Sequence, residues 1–485
     1  MNLAFTQDFG PMGLLLLGAA VCAFIDLRPM DHRNQAGTLT RWVALTALVL
    51  AFLASIGFWR SSYGLVPPDI EHGSFVIDRF ALFFYAAGLA AAGAVVVCGA
   101  DSESEVAPHL GVYHALLLVA TAGVLFTASA ADLASLAVGL AMTVLPLNMA
   151  MGLRKTSAAA VRSAARSLLV SAGLIALFVG GEAIIAGVSG STSLGAIARQ
   201  SIPVNPLMAL AALLILVGAL GQIGIFPTGV WRAMEILTVP AGAATARTAL
   251  VSLAVLAALL RIFPGALGSE PRDWTVTVGV LAGLTLLAAP LQALRQRRML
   301  AAIQHLLIAQ LALPLLALTE VSQPATATIL YALLAIIPLA AAALGLLGPL
   351  RQYGQDDGTT SLRGLWARSP VVAGMLALLM AAAAGLPPLV GFFVRVFAIE
   401  AAAQAGFGWL LWIALLSGLL CALVAYRWIM VLFDSRVDGP EMDLPGRVSM
   451  VGIILCGASS LGFVVVLGPL LGIAARAAVA PLFGP

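Results

Sequence analysis

Lysine is almost absent from this chain. Lys155 is the only lysine in 485 residues, so the other 24 of its 25 basic residues are arginine. Charged residues of all kinds make up only 10% of the sequence, whereas soluble globular domains carry about 25%. This scarcity of charge excludes an ordinary soluble domain. A net charge of +3 spread along the chain excludes a nucleic-acid-binding surface.

Cysteine is also scarce, and the sequence contains no CxxC pair. Each cysteine lies inside an apolar run, which is typical of small buried hydrophobic residues rather than of a metal site or a disulfide. We therefore expect no bound metal, and we assign no catalytic residue. The four cysteines are Cys22, Cys98, Cys421 and Cys456.

Apolar runs fill most of the chain, which is 61% hydrophobic with a mean hydropathy of +1.04. Runs of about 20 residues can cross a bilayer, and lipid offers no partner for unpaired backbone groups, so each run predicts a helix. We predict an all-α integral membrane protein, with fourteen transmembrane helices in a single polytopic domain over residues 1–485. The predicted helices are 11–26, 42–59, 79–99, 109–128, 130–152, 164–189, 206–229, 236–264, 273–293, 299–318, 325–349, 370–398, 407–433 and 447–473.

The distribution of basic residues predicts the orientation of these helices. Basic residues concentrate in the loops that follow the odd-numbered helices, and such loops face the cytoplasm. The acidic loop at 100–108 breaks the pattern, but acidic residues contribute little to this rule. Both termini are therefore predicted on the outer side of a cytoplasmic membrane. The basic residues are Arg28, Arg33, Arg41, Arg154, Lys155, Arg162, Arg295, Arg297, Arg298, Arg351, Arg363 and Arg368.

Two predicted helices are interrupted by glycine and proline. Helix 7 contains the segment from Gly221 to Pro227, and helix 12 contains the segment from Gly385 to Phe393. Proline removes a backbone donor and breaks the helical hydrogen bond to the residue four positions earlier. Two broken helices five spans apart are typical of inverted repeats with an ion path at the breaks. A pair of ordinary proline kinks is the alternative.

Five segments of the sequence resemble the antiporter-like subunits of respiratory complex I, and the N-type subunit fits best. That family is related to Mrp-type sodium/proton antiporters and to the membrane arms of hydrogenases. The similarity covers about residues 75–430, and the family has the same helix count. The segments are Val76–Phe84, Ser189–Ala198, Gly221–Pro264, Arg297–Ala301 and Gly385–Phe393.

The resemblance implies two inverted units of five helices, at about 109–264 and 273–433. It also implies that other membrane-arm subunits are the partners of this chain, and that it binds no cofactor, since no subunit of this type holds flavin or iron–sulfur clusters. The chain agrees with this, because it contains no glycine-rich nucleotide motif.

The charged residues that the family uses to move protons are replaced in this sequence. By the same resemblance, alanine stands at the family's glutamate in helix 5, and neutral or arginine side chains stand at its lysines. The histidine that follows the helix 7 proline is also lost, at Gly229. The positions are Ala141 for the glutamate, and Arg166, Gln222, Ser252 and Arg395 for the lysines of helices 6, 7, 8 and 12.

These replacements change what the helices can do chemically. Burial lowers the pKa of a lysine, which lets it bind and release a proton, whereas arginine stays protonated in proteins. Either the subunit no longer pumps, or its proton path is rerouted. A rerouted path would use Glu182, because an acid at membrane depth suggests function, or the histidines His305 and His114 as relays. Both histidines are equally consistent with structural hydrogen bonding.

Several other polar side chains carry structural expectations. Asp132 is predicted to cap helix 5 and Glu235 to pair with Arg232 in solvent. Arg261 is expected to extend to the interface, while Arg247 fits either a cavity or the interface. A salt bridge between Arg395 and Glu400 is possible but is not required by their spacing. Tryptophans near helix ends are expected to anchor at the membrane interface, namely Trp231, Trp366, Trp409, Trp412 and Trp428.

Two other functions remain open at this point. A working cation/proton antiporter needs acidic residues in its cavities, and Glu182 is the only acid that the sequence offers at membrane depth. A membrane subunit of a hydrogenase-type complex is the third possibility, although the pattern at 76–84 resembles the N-type subunit more closely.

Overall fold

A computed structural model describes residues 10–27, 33–61, 74–106, 109–153, 158–200, 206–229, 235, 237–268, 273–347, 358–436 and 445–478. Nearly all of these residues are helical. Thirteen of the described helices are long and apolar enough to cross a membrane. A fourteenth, helix 12, is split into two halves of 15 residues each, so the predicted all-α membrane fold with about fourteen spans is confirmed.

The first half of the chain contains eight spanning helices. The first four are α1 at Gly10–Leu27, α2 at Arg33–Ser61, α3 at Arg79–Cys98 and α4 at Leu110–Ser129. The other four are α5 at Leu133–Met151, α6 at Ala158–Ser189, α7 at Pro206–Leu220 and α8 at Ala241–Ala266. The helix α8 includes two π-helical turns, Arg247–Val251 and Arg261–Ala266.

The second half continues with α9 at Asp273–Arg295, α10 at Met299–Leu318 and α11 at Gln323–Leu347. The two halves of helix 12 are α12a at Pro370–Ala384 and α12b at Val390–Gln404. The last elements are α13 at Gly408–Leu432, α14 at Arg447–Val465 and the short α15 at Leu467–Ala478.

The helices α8 and α10 form the centre of the fold, because their apolar spans are buried throughout. The helices α1, α2, α6, α13 and α14 lie at the periphery and expose one apolar face, as lipid-facing helices do. Small residues let neighbouring helices approach closely. An added Cβ at Gly218 of α7, for example, would lie 2.6 Å from the carbonyl oxygen of Leu174 in α6.

Helices 7 and 12 are broken where glycine and proline predict it. At the first break, α7 passes into a short 3-10 turn and then into Gly224, whose φ of +83° suits glycine. The Thr228 hydroxyl donates to the carbonyl of Gly221 over 2.9 Å. At the second break, Gly385 has a φ of +73°, and the Gln310 amide donates to the carbonyl of Ala383 over 3.0 Å. Protein side chains therefore satisfy carbonyls that each break leaves free.

Two cysteines from opposite ends of the chain meet in the fold. The sulfur atoms of Cys98 in α3 and Cys456 in α14 lie 3.8 Å apart, and both are free thiols. Cys22 and Cys421 are buried, as expected, while Cys456 is half-buried. The described residues contain no cluster of side chains that could hold a metal ion. The boundaries of the two inverted units and the orientation of the termini stay predictions.

Candidate ion path

A polar cavity lies beside the break in helix 7. Its volume is about 30 Å³, which is room for roughly two water molecules. Gln222 and Ser252, which the resemblance aligns with the family's lysines, both line it. The other polar residues of the wall are Glu235, Arg247, Thr248 and Gln304.

A buried ion pair holds the charge in this cavity. The Arg247 guanidinium donates to the Glu235 carboxylate over 2.9 Å, and only 8% and 12% of these two side chains are exposed. The same carboxylate accepts from the Ser167 hydroxyl over 3.3 Å. The expectation that Glu235 pairs with Arg232 in solvent is wrong, because Arg247 holds Glu235 inside the protein; Arg232 lies outside the described residues.

A π-helical turn of α8 begins at Arg247 beside the cavity, and such turns are frequent at functional sites. The same guanidinium also donates, over a long 3.4 Å, to the carbonyl of Gln222. Sequence reasoning left Arg247 undecided between cavity and interface. An arginine inside an apolar helix needs a partner, and Glu235, twelve positions earlier, was the nearest acid in the chain.

The two neutral replacements are fixed by hydrogen bonds to the backbone. The Gln222 amide donates to the carbonyl of Ser171 in α6 over 2.9 Å. The Ser252 hydroxyl donates to the carbonyl of Thr248 in its own helix over 2.5 Å. Neither side chain can hold a charge, so neither can load a proton as a buried lysine does.

A second, smaller cavity contains the predicted relay His305. It measures about 20 Å³ and lies between the helix 7 break and helices α9 and α10. The Nδ1 atom of His305 lies 2.7 Å from the carbonyl oxygen of Ala301. The Nε2 atom lies 3.2 Å from the amide of Gln292. Gly229, where the family has its histidine, lines the same cavity, so a histidine is present there on a different helix.

Glu182 lies apart from both cavities, on the inward face of α6. Only 4% of it is exposed, and its Oε1 atom has no hydrogen-bond partner among the described residues. Asp132 is close enough to interact with it electrostatically. Asp132 itself caps α5 by accepting from the backbone nitrogen of Ser135 over 2.7 Å, as predicted.

Arg395 is buried in the second half without an acidic partner among the described residues. Its guanidinium donates over a long 3.5 Å to the carbonyl of Ala384 at the end of α12a and also contacts the Cys421 thiol of α13, while its Nε atom has no hydrogen bond. The possible salt bridge to Glu400 does not form, because the exposed Glu400 contacts Gln404 instead.

Two more of the predicted positions lie in neither cavity. Ala141 is half-buried in α5, and Arg166 lies on the exposed face of α6. His114, the other candidate relay, is fully buried 3.2 Å from the hydroxyl of Thr40 and 3.3 Å from the carboxylate of Glu103, which Arg41 also binds. His114 therefore belongs to a polar cluster at the ends of α2, α3 and α4.

Two expectations about the interface are wrong. Arg261 does not extend to the interface but is fully buried, since Asp78 accepts two hydrogen bonds from it, over 2.7 and 2.9 Å, and the carbonyl of Ala128 accepts two more. Trp428 is fully buried in α13 rather than anchored at the interface. Trp366, Trp409 and Trp412 are exposed, as expected, and Trp231 lies outside the described residues.

The similarity of the chain to known proteins agrees with this architecture. The sequence profile of the family described as "NADH:quinone oxidoreductase/Mrp antiporter, TM" matches residues 130–421, which is well over half of the chain. A relative from Sorangium cellulosum, "NADH-quinone oxidoreductase subunit N 1", is 30% identical, and the alignment covers 97% of this chain and 98% of that one.

Two solved structures share the fold. A chain of respiratory complex I from Thermus thermophilus has a TM-score of 0.78 and 22% identity, with 96% of this chain and 99% of that chain covered. A chain of the membrane-bound sulfane sulfur reductase, an archaeal respiratory membrane complex, has a TM-score of 0.86 and 19% identity, with 98% and 97% covered. With its fourteen spans, two broken helices and family match, this multi-pass membrane protein belongs to the NADH:quinone oxidoreductase/Mrp antiporter transmembrane family.

Proposed function

We propose that this chain is an N-type membrane-arm subunit of a quinone-reducing, complex I-like assembly in the inner (cytoplasmic) membrane, and that it does not load protons on lysines. The name and the nearly complete coverage of the Sorangium cellulosum relative support the first part. The structures with the same fold are chains of multi-subunit complexes. The partners proposed for this chain are therefore neighbouring membrane-arm subunits and the lipid bilayer. The chain itself binds no cofactor.

The observation that carries the second part is the chemistry of the larger cavity. The two positions where the family places lysines, Gln222 and Ser252, face this cavity but are neutral and fixed to the backbone. The cation in the cavity is Arg247, which stays protonated and is already paired with Glu235. A fixed ion pair can orient water and neighbouring charges, but its arginine cannot release a proton.

Affinity purification of the tagged chain from native membranes in mild detergent tests the assembly. We expect it to co-purify with iron–sulfur and quinone-site subunits and with quinone-reductase activity. Isolation of the chain in company with small antiporter subunits alone, without quinone reductase, would contradict the proposal.

Substitution of the two neutral positions in the assembled complex tests the second part. Gln222→Ala and Ser252→Ala should each leave the ratio of protons pumped to electrons transferred unchanged, because neither side chain binds a proton. A fall in this ratio, at an unchanged rate of quinone reduction, would show that these positions belong to the proton path after all.

A cation/proton antiporter is the alternative function within the same family. It needs a carboxylate that is free to exchange ions in a cavity. Among the described residues that line the two cavities, Glu235 is the only acid, and Arg247 already occupies it. Sodium-driven proton movement in proteoliposomes that contain the purified chain would favour the antiporter. The neighbouring genes would separate both possibilities from a hydrogenase-type complex.

A further inference from the structure

The inward face of α6 connects the larger cavity with Glu182. Its buried residues recur every three or four positions, which is the spacing of one helical face. Near one end of this face, the Ser167 hydroxyl donates to Glu235 and the carbonyl of Ser171 accepts from Gln222. Eleven residues further along, about 16 Å on a helix, the same face carries Glu182.

An apolar gap separates these two polar ends. It consists of Leu174 and Phe178, both buried on the same face of α6. The helix α7 packs closely against this gap, because Gly218 approaches the backbone of both residues and Gly221 approaches the Leu174 side chain. The gap is too long for a direct hydrogen bond, so a proton can cross it only when water enters.

Glu182 has the environment of a proton-binding group rather than of a structural one. Buried polar atoms that stabilise a fold are nearly always hydrogen-bonded, yet its Oε1 atom has no partner among the described residues. An isolated carboxylate in an apolar environment is costly, so such a side chain is rare in a membrane helix unless it serves a function. Asp132, which acts on it electrostatically, is the N-cap residue of α5, and its backbone pairs with Ser193 just beyond the end of α6.

We propose that Glu182 is a proton-binding site, and that the inward face of α6 forms a proton route distinct from the central row of lysine positions. A proton enters through the water of the larger cavity beside Glu235, crosses the gap at Leu174 and Phe178 when that gap hydrates, and binds the Glu182 carboxylate. It then leaves past Asp132 on the opposite side of the membrane. Each cycle moves one proton, and Glu182 returns to its ionised form without a co-reactant. This inference rests on the proposed function, in which the assembly supplies the energy.

Carbodiimide labelling tests the site without measuring activity. Dicyclohexylcarbodiimide reacts with protonated carboxyl groups in apolar surroundings, so native membranes treated with it should yield an adduct on the peptide that contains Glu182. The adduct should disappear in Glu182→Gln and persist in Glu400→Gln, in which an exposed acid of α12b is changed instead. A wild-type protein whose Glu182 peptide remains unmodified would overturn the proposal.

Proton pumping by the assembled complex gives the second test. Glu182→Gln keeps the shape of the side chain but cannot bind a proton, so it should lower the proton-to-electron ratio while quinone reduction continues. Glu182→Asp keeps a carboxyl group, so it should retain most of the wild-type proton-to-electron ratio. If the ratio is unchanged in Glu182→Gln, the route is wrong.

A third variant keeps the proposal testable if Glu182→Gln does not assemble. Phe178→Ala shortens the apolar gap and should increase the passive proton leak of proteoliposomes, and an unchanged leak would contradict the route. The two proposals fail separately. A chain that purifies without quinone-reducing partners defeats the proposed function even if Glu182 is labelled, whereas a normal ratio in Glu182→Gln defeats only the α6 route.

Discussion

The breaks in helices 7 and 12 have similar backbones but different charges. Each contains a glycine with positive φ, and at each a side chain satisfies a freed carbonyl. The cation nearest the first break is Arg247, which Glu235 neutralises. The cation nearest the second is Arg395, which has no acidic partner among the described residues. Glycine and proline therefore fix the shape of a break, while the charge beside it can change independently.

The backbone explains how an unpaired arginine is tolerated at the second break. Taking a charged group out of water costs several kcal/mol when nothing compensates it. The carbonyl groups at the C-terminal end of a helix carry partial negative charge, and Arg395 lies beside Ala384 at the end of α12a. The C-terminal end of α12a thus partly compensates the charge of Arg395, as the Glu235 carboxylate compensates the charge of Arg247 at the first break.

Removal of Glu235 from its ion pair with Arg247 should lower the stability of the protein more than any of the other substitutions. Glu235→Ala leaves the buried charge of Arg247 unpaired, which should destabilise the protein by about 3 kcal/mol. Thermal unfolding of the purified complex and its yield measure this loss. The double variant Glu235→Ala/Arg247→Leu should recover most of the stability, and a double variant no better than the single one would show that the pair itself is not what matters.

Removal of the Arg395 guanidinium at the second break should not lower the stability of the protein and should slightly raise it. Arg395→Met replaces a buried charge that is only partly compensated with an apolar side chain of similar length, so stability should stay the same or rise by about 1 kcal/mol. The same unfolding measurement checks it, with Arg395→Lys as the control that retains a positive charge. A loss as large as that of Glu235→Ala would mean that Arg395 has an acidic partner in the assembled complex.

The side chains that satisfy the broken backbones should have smaller and similar effects. Thr228→Val removes the hydroxyl donor to the carbonyls of Gly221 and Ile225, and Gln310→Leu removes the side-chain donor to the carbonyl of Ala383, so each should cost about 1 kcal/mol. Comparison of their unfolding midpoints tests whether the two breaks are equivalent. A marked inequality would indicate that water satisfies one break and side chains the other.

Ser252→Ala should have the smallest effect. Its hydroxyl bonds only to a carbonyl of its own helix, which already belongs to the helical ladder. We expect a change within about 0.5 kcal/mol. A larger loss of stability would show that the Ser252 hydroxyl binds a water molecule in the cavity, and that other residues of the cavity wall depend on that water.

The sequence predicted those parts of the structure that depend on local pattern. The break at Gly221–Pro227 follows from proline and glycine. Contacts set by three-dimensional packing were missed. The sequence reveals nothing of how the turn before α8 directs Glu235 inward, so a buried pair was mistaken for a solvent one. Likewise, Cys98 and Cys456 stand 358 positions apart and meet only because α14 packs on α3.

The pair of Arg261 and Asp78 has a consequence for biosynthesis. The two residues are 183 positions apart, so Asp78 enters the membrane long before the ribosome reaches Arg261. An arginine within an inserting helix costs about 2.5 to 3.5 kcal/mol, and here contacts with Asp78, with the end of α4 and with the Phe80 ring offset that cost. The early helices must therefore remain beside the insertion site until α8 arrives. A chain shortened before α8 would leave the Asp78 carboxylate without its arginine partner, as a signal that membrane quality control could recognise.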